Sequence, residues 1–215
     1  WQIAMPSRAY WRVMNKVILK KGKDKAILNH HHWIFSGAVE SMPENFTDGD
    51  ILQVFNTDGK PLGSAYCNRK AKIFGRMVAF ETIDPMIAIQ NNIERAIAFR
   101  KTLFKDKKTT AYRLINGEGD LLPGLVVDRY KQVLVIQVST LGMERLKPTI
   151  IQFLRDKLQI DSIYEKSNLP TRKEEGLPSH EGLIFGQDVK EIEIVENGNL
   201  FLVNIQEGQK TGFFL

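Results

Sequence analysis

The sequence predicts an α+β protein of two units, a small β-barrel followed by a small domain of strands around one or two helices. The first eighty residues favour short strands joined by tight turns, which is typical of small barrels. A helix start at Asp84-Pro85 then divides the chain, because aspartate caps helices and proline suits the first helical position. Beyond it, strand patterns surround helical patterns, which indicates an α+β domain.

Length and composition indicate a folded protein rather than a membrane or secreted one. The chain has 215 residues, of which 43% are hydrophobic and 26% charged, enough for two small cores. No apolar run approaches the roughly 20 residues that span a bilayer, and the first residues lack the order of a signal peptide. The single cysteine, Cys67, excludes an internal disulfide and indicates a reducing, cytoplasmic location.

In the first unit the predicted elements are short. Asp58-Gly59 predicts a hairpin with a type I′ turn. The predicted strands are Val17–Leu19, Ile51–Phe55, Leu62–Cys67 and Ile73–Phe80, and a short helix over Lys23–Asn29 runs into the segment Trp33-Ile34-Phe35-Ser36-Gly37.

In the second unit a helix runs from Pro85 to about Phe104, and a second helix covers Met143–Leu158, with Pro148 in its first turn or at a kink. The predicted strands are Tyr112–Ile115, Leu125–Asp128, Val133–Ser139, Ser162–Lys166, Ile192–Glu196 and Leu200–Ile205. These elements predict domains over 16–82 and 83–206, with 1–15 as a tag or extension and 207–215 as a lead-in to a further domain.

The basic residues are concentrated in the first unit. The net charge of +5 is only a weak indication of a polyanionic partner. Lysines crowd positions 16–25, and a second basic group covers 69–76. The candidate phosphate contacts are Lys20, Lys21, Arg69, Lys70, Lys72 and Arg76. Four aromatic residues lie among them and either stack on RNA bases or form the core, and the core is expected for at least Phe35 and Phe74. The four are Trp33, Phe35, Tyr66 and Phe74.

A glycine-rich segment from Arg113 to Asp128 contains Glu118 and Asp120. Two carboxylates this close form an acid/base pair, hold a metal, or simply cap backbone N–H groups in a surface turn. The adjacent histidines at 30–32 do not predict zinc, because neighbouring residues cannot easily converge on one tetrahedral ion. No metal site is expected.

Three segments together resemble one family, the PUA-containing class I methyltransferases of large-subunit ribosomal RNA that form 5-methylcytosine. The first is His32-Trp33-Ile34-Phe35-Ser36-Gly37-Ala38 with the later Gly49-Asp50 and Asp58–Gly63. The second, and most specific, runs from Tyr112 to Asp120 and from Leu122 to Tyr130. The third is Glu207–Leu215. One departure is His32, where the family usually has proline.

The resemblance implies a PUA-like RNA-binding domain, S-adenosyl-L-methionine (SAM) as cofactor and 23S rRNA as partner. It places Lys210, Thr211 and Phe214 beside SAM, and it puts a residue set on the substrate side of the cleft. That set is Arg113, Glu118, Asp120 and Asp128. A catalytic Rossmann-like domain is expected to be absent, so that this chain alone binds RNA without binding SAM or catalysing, and a homodimer is one way to cover Phe213–Leu215. The alternative is a stand-alone, non-enzymatic PUA-type RNA-binding protein.

Overall fold

The computed structural model describes residues 15–106 and 108–208. The chain divides into two units, unit 1 up to Ile89 and unit 2 from Gln90. No helix among the described residues is both long and apolar enough to cross a membrane.

Unit 1 is one six-stranded sheet with the strand order β2-β6-β5-β4-β1-β3. Strands β1 and β4 pair in parallel, whereas the other neighbours are antiparallel. Its elements are β1 (Lys16–Leu19), α1 (Lys25–Leu28), β2 (Trp33–Phe35), β3 (Val39–Ser41), β4 (Ile51–Phe55), β5 (Pro61–Cys67) and β6 (Ile73–Ala79). Strand β3 was not predicted from the sequence, since three residues are too few to show an alternating pattern.

The hairpin between β4 and β5 differs from the predicted type I′ turn. The Gly59 amide donates to the Asn56 carbonyl over 3.1 Å, and Gly59 has a φ of +76°. A type I′ turn needs positive φ at both central residues, and Asp58 is not among the positive-φ residues of the structure. Asn56 Oδ1 also accepts the amides of Asp58 and Lys60, so a longer turn closed by an asparagine side chain joins the strands.

The core of unit 1 corrects one prediction about aromatic residues. Phe74 is buried, as expected, and packs with Ile34 and Leu52 in the core. Phe35 was also expected in the core, but it is 51% exposed. The reason is strand alternation, since the buried Ile34 sends its two neighbours to the opposite face.

Unit 2 is built on a five-stranded sheet with the order β11-β10-β9-β8-β7 and a separate β12–β13 hairpin. Its elements are α2 (Pro85–Leu103, beginning in unit 1), β7 (Ala111–Asn116), β8 (Leu125–Tyr130), β9 (Val133–Val138), α3 (Leu141–Lys157), β10 (Ser162–Ser167), α4 (Pro170–Glu174), β11 (His180–Gly186), β12 (Glu191–Glu196) and β13 (Asn199–Asn204). Asp84 caps α2 as predicted, because its Oδ1 accepts the Met86 amide over 2.8 Å. Pro148 lies inside α3, beyond the first turn.

The predicted fold class is wrong for this unit, which is not a loose set of strands around one or two helices. Strands β9 and β10 are parallel neighbours joined through α3, so the sheet is mixed and contains a β-α-β crossover. The edge strand β11 was missed because its apolar residues, Leu183 to Phe185, form a run of only three between glycines, without the alternation of a half-buried strand. Helix α4 was missed because it has only five residues.

Candidate nucleic-acid interface

Strand β2 turns two aromatic rings toward solvent. Trp33 is 37% exposed and Phe35 is 51% exposed, while Ile34 between them is buried. The two rings meet edge to face with their centroids 6.3 Å apart. An exposed pair of this kind is unusual for large aromatic side chains, which mostly bury their area in cores or interfaces.

Basic residues from two distant segments contact this strand or the turn that follows it. From one segment, Arg76 of β6 pairs in register with Trp33, and the Lys72 carbonyl accepts the Ser36 amide over 3.2 Å. From the other segment, Lys20 donates its backbone N–H to the Ala38 carbonyl and its Nζ to the Gly37 carbonyl over 3.1 Å. We call this surface the β2 face, defined by Trp33, Phe35, Lys20, Lys72 and Arg76.

The lysines around the β2 face are open to solvent. Lys20, Lys21, Lys70 and Lys72 are exposed. Within the described residues none of the four forms a salt bridge with an acidic side chain, and the side chain of Lys20 donates to a backbone carbonyl. Their charge is therefore available to an anionic partner.

Arg69, another predicted phosphate contact, makes several contacts within unit 1. Its Nε donates to Asp48 Oδ1 over 2.9 Å, a terminal nitrogen donates to the Phe46 carbonyl over 3.1 Å, and its guanidinium lies 4.5 Å from the Phe46 ring centre. Burial opposes ionisation of Asp48, but the hydrogen bonds and charge of Arg69 hold the pKa of that carboxyl below its ordinary value. Arg69 thus links the loop after β5 to the segment that contains Phe46 and Asp48.

The three adjacent histidines point to separate partners. His30 packs against Phe80, with ring centres 4.8 Å apart, and buried His32 places Nδ1 3.0 Å from the Met77 carbonyl. His31 Nδ1 accepts the Trp33 amide over 3.2 Å. These contacts agree with packing roles, and over 15–106 and 108–208 no three His, Cys, Asp or Glu residues gather as a metal site would require.

In unit 2, the acidic residues of the glycine-rich segment are mostly bound in ion pairs. Asp120 accepts both terminal nitrogens of Arg100, over 2.6 and 2.7 Å, and the fully buried Asp128 accepts Arg113 Nε over 2.8 Å. Hydrogen bonding to Asp128 raises the pKa of the Arg113 guanidinium. Glu118 lies in the same short turn, partly exposed.

These pairs give three of the four predicted cleft residues a structural partner. The role of Arg113, Glu118, Asp120 and Asp128 at a substrate cleft stays a prediction. The glycines of the segment have a conformational reason, because Gly117 and Gly124 adopt positive φ and a side chain at Gly124 would meet Thr140.

Sequence reasoning missed a buried charge cluster in unit 2. Glu165 is fully buried and accepts a hydrogen bond from Lys147 Nζ over 2.9 Å, and its Oε2 lies 3.2 Å from His180 Nδ1. Arg172, 1% exposed, donates to Glu144 over 2.9 Å and to the Val138 carbonyl over 2.7 Å. The available signal was the pair Glu165-Lys166 inside a predicted strand, since charged residues are rarely buried without partners.

Cys67 is buried within β5, and burial raises the pKa of its thiol, with the charge of Asp50 adding to the effect. It is a core residue rather than a reactive thiol. The residues predicted beside SAM, which are Lys210, Thr211 and Phe214, lie outside the described residues.

Comparison with known proteins identifies the first unit. Residues 17–80 match the family model described as a PUA-like domain. These residues form a PUA-like domain. Relatives named "Ribosomal RNA large subunit methyltransferase I" from Yersinia pseudotuberculosis and Yersinia pestis are 37% identical to the chain over 204 residues. That alignment covers 93% of this chain and 51% of the relatives, so the chain is homologous to them and spans about half their length.

Solved structures agree on the fold. A solved structure from Streptococcus mutans, described as a SAM-dependent methyltransferase, superposes with a TM-score of 0.75 and 22% identity, over 94% of this chain and 51% of that one. A second structure, described as a methyltransferase in complex with SAH, gives a TM-score of 0.76 at 22% identity, again over 94% of this chain and 50% of the other.

This likeness completes the correction of the predicted fold class. The sequence predicted that the catalytic Rossmann-like domain of the methyltransferase family is absent from this chain. Yet the superposition takes in 94% of the chain, which includes a five-stranded mixed sheet, so this chain shares its fold with about half of that structure. The prediction that a catalytic domain is absent from this chain is therefore wrong.

Proposed function

We propose that this chain provides RNA binding to a SAM-dependent methyltransferase of 23S rRNA, and that it contacts the RNA through the β2 face. The observation that carries the proposal is that residues of two basic segments, 16–25 and 69–76, contact one exposed aromatic strand or the turn that follows it. Homology to proteins named as methyltransferases of large-subunit rRNA supports the choice of RNA over other polyanions.

The lysines of this face would contact phosphate groups and so fix the position of the RNA without reading its bases. Lys20, Lys21, Lys70 and Lys72 suit that role because they are exposed, and Arg76 suits it through its position beside Trp33. Arg69 contributes less in this proposal, since its guanidinium already holds Asp48.

SAM, when bound, supplies an electrophilic methyl group. The residues that the resemblance assigns to it, Lys210, Thr211 and Phe214, lie outside the described residues, so no cofactor geometry is derived. Forming 5-methylcytosine requires a thiolate that attacks the base. Cys67 does not fit this role because it is buried and its thiol pKa is raised. The proposal of 5-methylcytosine as product therefore depends on the resemblance alone.

The alternative, a stand-alone RNA-binding protein without enzymatic activity, is not favoured. The relatives that align with 93% of this chain are named as methyltransferases. The two proposals share the β2 face and differ only in whether a methyl group is transferred.

Nucleoside analysis of 23S rRNA tests the proposal in cells. The gene that carries this chain is deleted, and methylated cytosine in 23S rRNA is quantified by mass spectrometry. We expect one 5-methylcytosine to disappear, to return with the complete gene, and to return only partly with Lys20, Lys21 and Lys72 changed to alanine. An unchanged nucleoside profile after deletion would exclude the proposed activity. In parallel, the chain alone is incubated with unmodified rRNA and SAM, which tests the expectation that it is inactive by itself.

A further inference from the structure

Strand β13 is one edge of the β12–β13 hairpin, and within the described residues no third strand pairs with this hairpin. The other edge, on β12, has a partner in the segment before β7. The Val195 carbonyl accepts the Thr110 amide over 2.8 Å, and the Val195 amide donates to Thr110 Oγ1 over 2.9 Å. The two edges of the hairpin therefore differ, because β12 is covered and β13 is open.

The pairing of the hairpin determines which backbone groups lie on the open edge. Val195 lies opposite Leu200 and directs its own N–H and C=O away from β13, toward Thr110. In an antiparallel ladder both members of such a pair point their backbone groups away from each other. Leu200, and with it Leu202 two residues later, thus points its N–H and C=O outward. No hydrogen bond to these outward groups forms anywhere in 15–106 or 108–208.

The side chains of the same two residues are apolar and open to solvent. Leu200 is 65% and Leu202 is 69% exposed, and their spacing places them on one face of the strand. Natural edge strands are commonly protected by a lysine, a proline or a bulge. The residues of β13 are Asn-Leu-Phe-Leu-Val-Asn, without charge or proline, and their pairing with β12 has no bulge. This edge is therefore suited to receive another strand.

The strand that fits this edge best is β13 itself. A strand that pairs antiparallel with its own copy is related to it by a two-fold axis, so the contact is self-complementary. With the axis at Phe201, Leu200 of each copy lies opposite Leu202 of the other. These are the residues with outward backbone groups, so each of the two leucine pairs exchanges both of its hydrogen bonds. The cross-strand pairs over 199–203 contain no charged residue, and no like charges are opposed.

We propose that β13 is a dimerisation edge, at which a second copy of this chain adds its own β13 to form a four-stranded antiparallel sheet. The exposed leucines of both copies then contact one another on one face of that sheet. This pairing is independent of the proposed RNA binding. Only one strand of six residues from each copy takes part. The buried area therefore lies below the roughly 1,200 Å² of a standard interface, and the dissociation constant is expected in the micromolar range.

Sedimentation equilibrium of the 215-residue chain tests the pairing. Between about 1 and 300 μM, a range that brackets micromolar dissociation constants, we expect a monomer–dimer equilibrium. The double variant L200K/L202K opposes lysines across the axis and should raise the dissociation constant at least about tenfold. L200E/L202E should do the same. An equimolar mixture of the two should associate again, because lysine then faces glutamate.

The control for these variants adds the same charge at other exposed leucines of unit 2. Leu103 of α2 is 57% exposed, and Leu183 of the edge strand β11 is 43% exposed. L103K/L183K should leave the dissociation constant of the dimer unchanged. Unfolding midpoints establish that each variant is folded, which is expected because all four leucines are exposed.

Disulfide formation tests the position of the axis independently of added charge. In the symmetric pair, residue 201 of one copy faces residue 201 of the other at a Cα separation of about 4.5 Å, within the range of a disulfide. Phe201→Cys should therefore form a covalent dimer on mild oxidation. Asn199→Cys should not, because its two copies lie four residues out of register, roughly 13 Å apart. Cys67 does not interfere, since it is buried.

Several results would overturn the dimerisation edge. They are a chain that stays monomeric at the highest concentration, a dimer that L200K/L202K does not weaken, and equal cross-linking at 199 and 201. If the product of the complete gene is monomeric where the 215-residue chain dimerises, the edge is covered within one polypeptide and a second copy is not its partner. Dimers lost in both charge variants, restored in their mixture and cross-linked at 201 alone support the proposal. None of these measurements contains RNA, so the proposed function stands or falls separately.

Discussion

Several lysines of unit 1 are exposed to solvent near an exposed aromatic strand, whereas unit 2 contains a cluster of ion-paired side chains below its surface. In unit 1, Lys21 and Lys72 are exposed and form no salt bridge with a described residue. In unit 2, Arg172 and Glu165 are at most 1% exposed and lie in one cluster. Cations in solvent can exchange their counterions for RNA phosphates, while buried charges require fixed partners. Exposed lysines of unit 1 thus support the proposed binding of RNA, whereas paired charges of unit 2 support its folding.

The largest effect is expected at Arg172. Changing it to methionine keeps a similar shape but leaves Glu144 and the buried Glu165 without its charge, so the free energy of unfolding should fall by about 3–5 kcal/mol. Urea denaturation measures the loss. Lys173→Met is the control, because Lys173 is exposed on the same helix and its change should stay within about 0.5 kcal/mol. Equal stabilities of the two variants would show that the cluster does not support unit 2.

A smaller effect is expected at the Arg100–Asp120 pair, whose side chains are 11% and 12% exposed. Asp120→Asn weakens hydrogen bonds to a charged group and should cost about 1.5–3 kcal/mol. If Asp120 acts only in folding, RNA affinity should stay within about twofold under conditions where the variant is folded. A larger loss of affinity with little loss of stability would instead support its predicted place at a substrate cleft. Glu174 is an exposed acid of unit 2, so Glu174→Gln is the control for both the free energy of unfolding and the RNA affinity.

Much of the secondary structure could be predicted because it depends on local patterns. The strands β4, β5 and β6 and the helix α2 begin and end within a residue or two of their predicted bounds. The mixed sheet could not be predicted with the same ease, because the parallel pairing of β9 with β10 depends on how α3 returns the chain. Strand β11 showed only the short apolar run Leu183-Ile184-Phe185, which does not alternate and is too short to indicate a strand.

The candidate site shows the same limit. The basic segments and Trp33 were visible in the sequence, and alternation around Ile34 was an available sign that Phe35 shares the face of Trp33. The partner of Arg69 was not visible, because Asp48 lies 21 residues away and meets it only in the folded unit. Which of several similar cations keep their charge for a ligand is decided by such tertiary contacts.

The measurement that tests the central claim most directly is the salt dependence of RNA binding by two matched triple variants. One changes Lys20, Lys21 and Lys72 of unit 1 to alanine, and the other changes Lys101, Lys173 and Lys190, which are exposed lysines of unit 2. Both variants lose the same net charge. Affinity for a single-stranded RNA is measured over a range of salt concentrations. Because each neutralised phosphate contributes about 0.7 to the slope of log K against log salt, the unit 1 variant should flatten the slope by about 2 and the unit 2 variant by much less. Equal slopes for both variants, or a larger change for unit 2, would contradict the placement of the RNA interface on the β2 face.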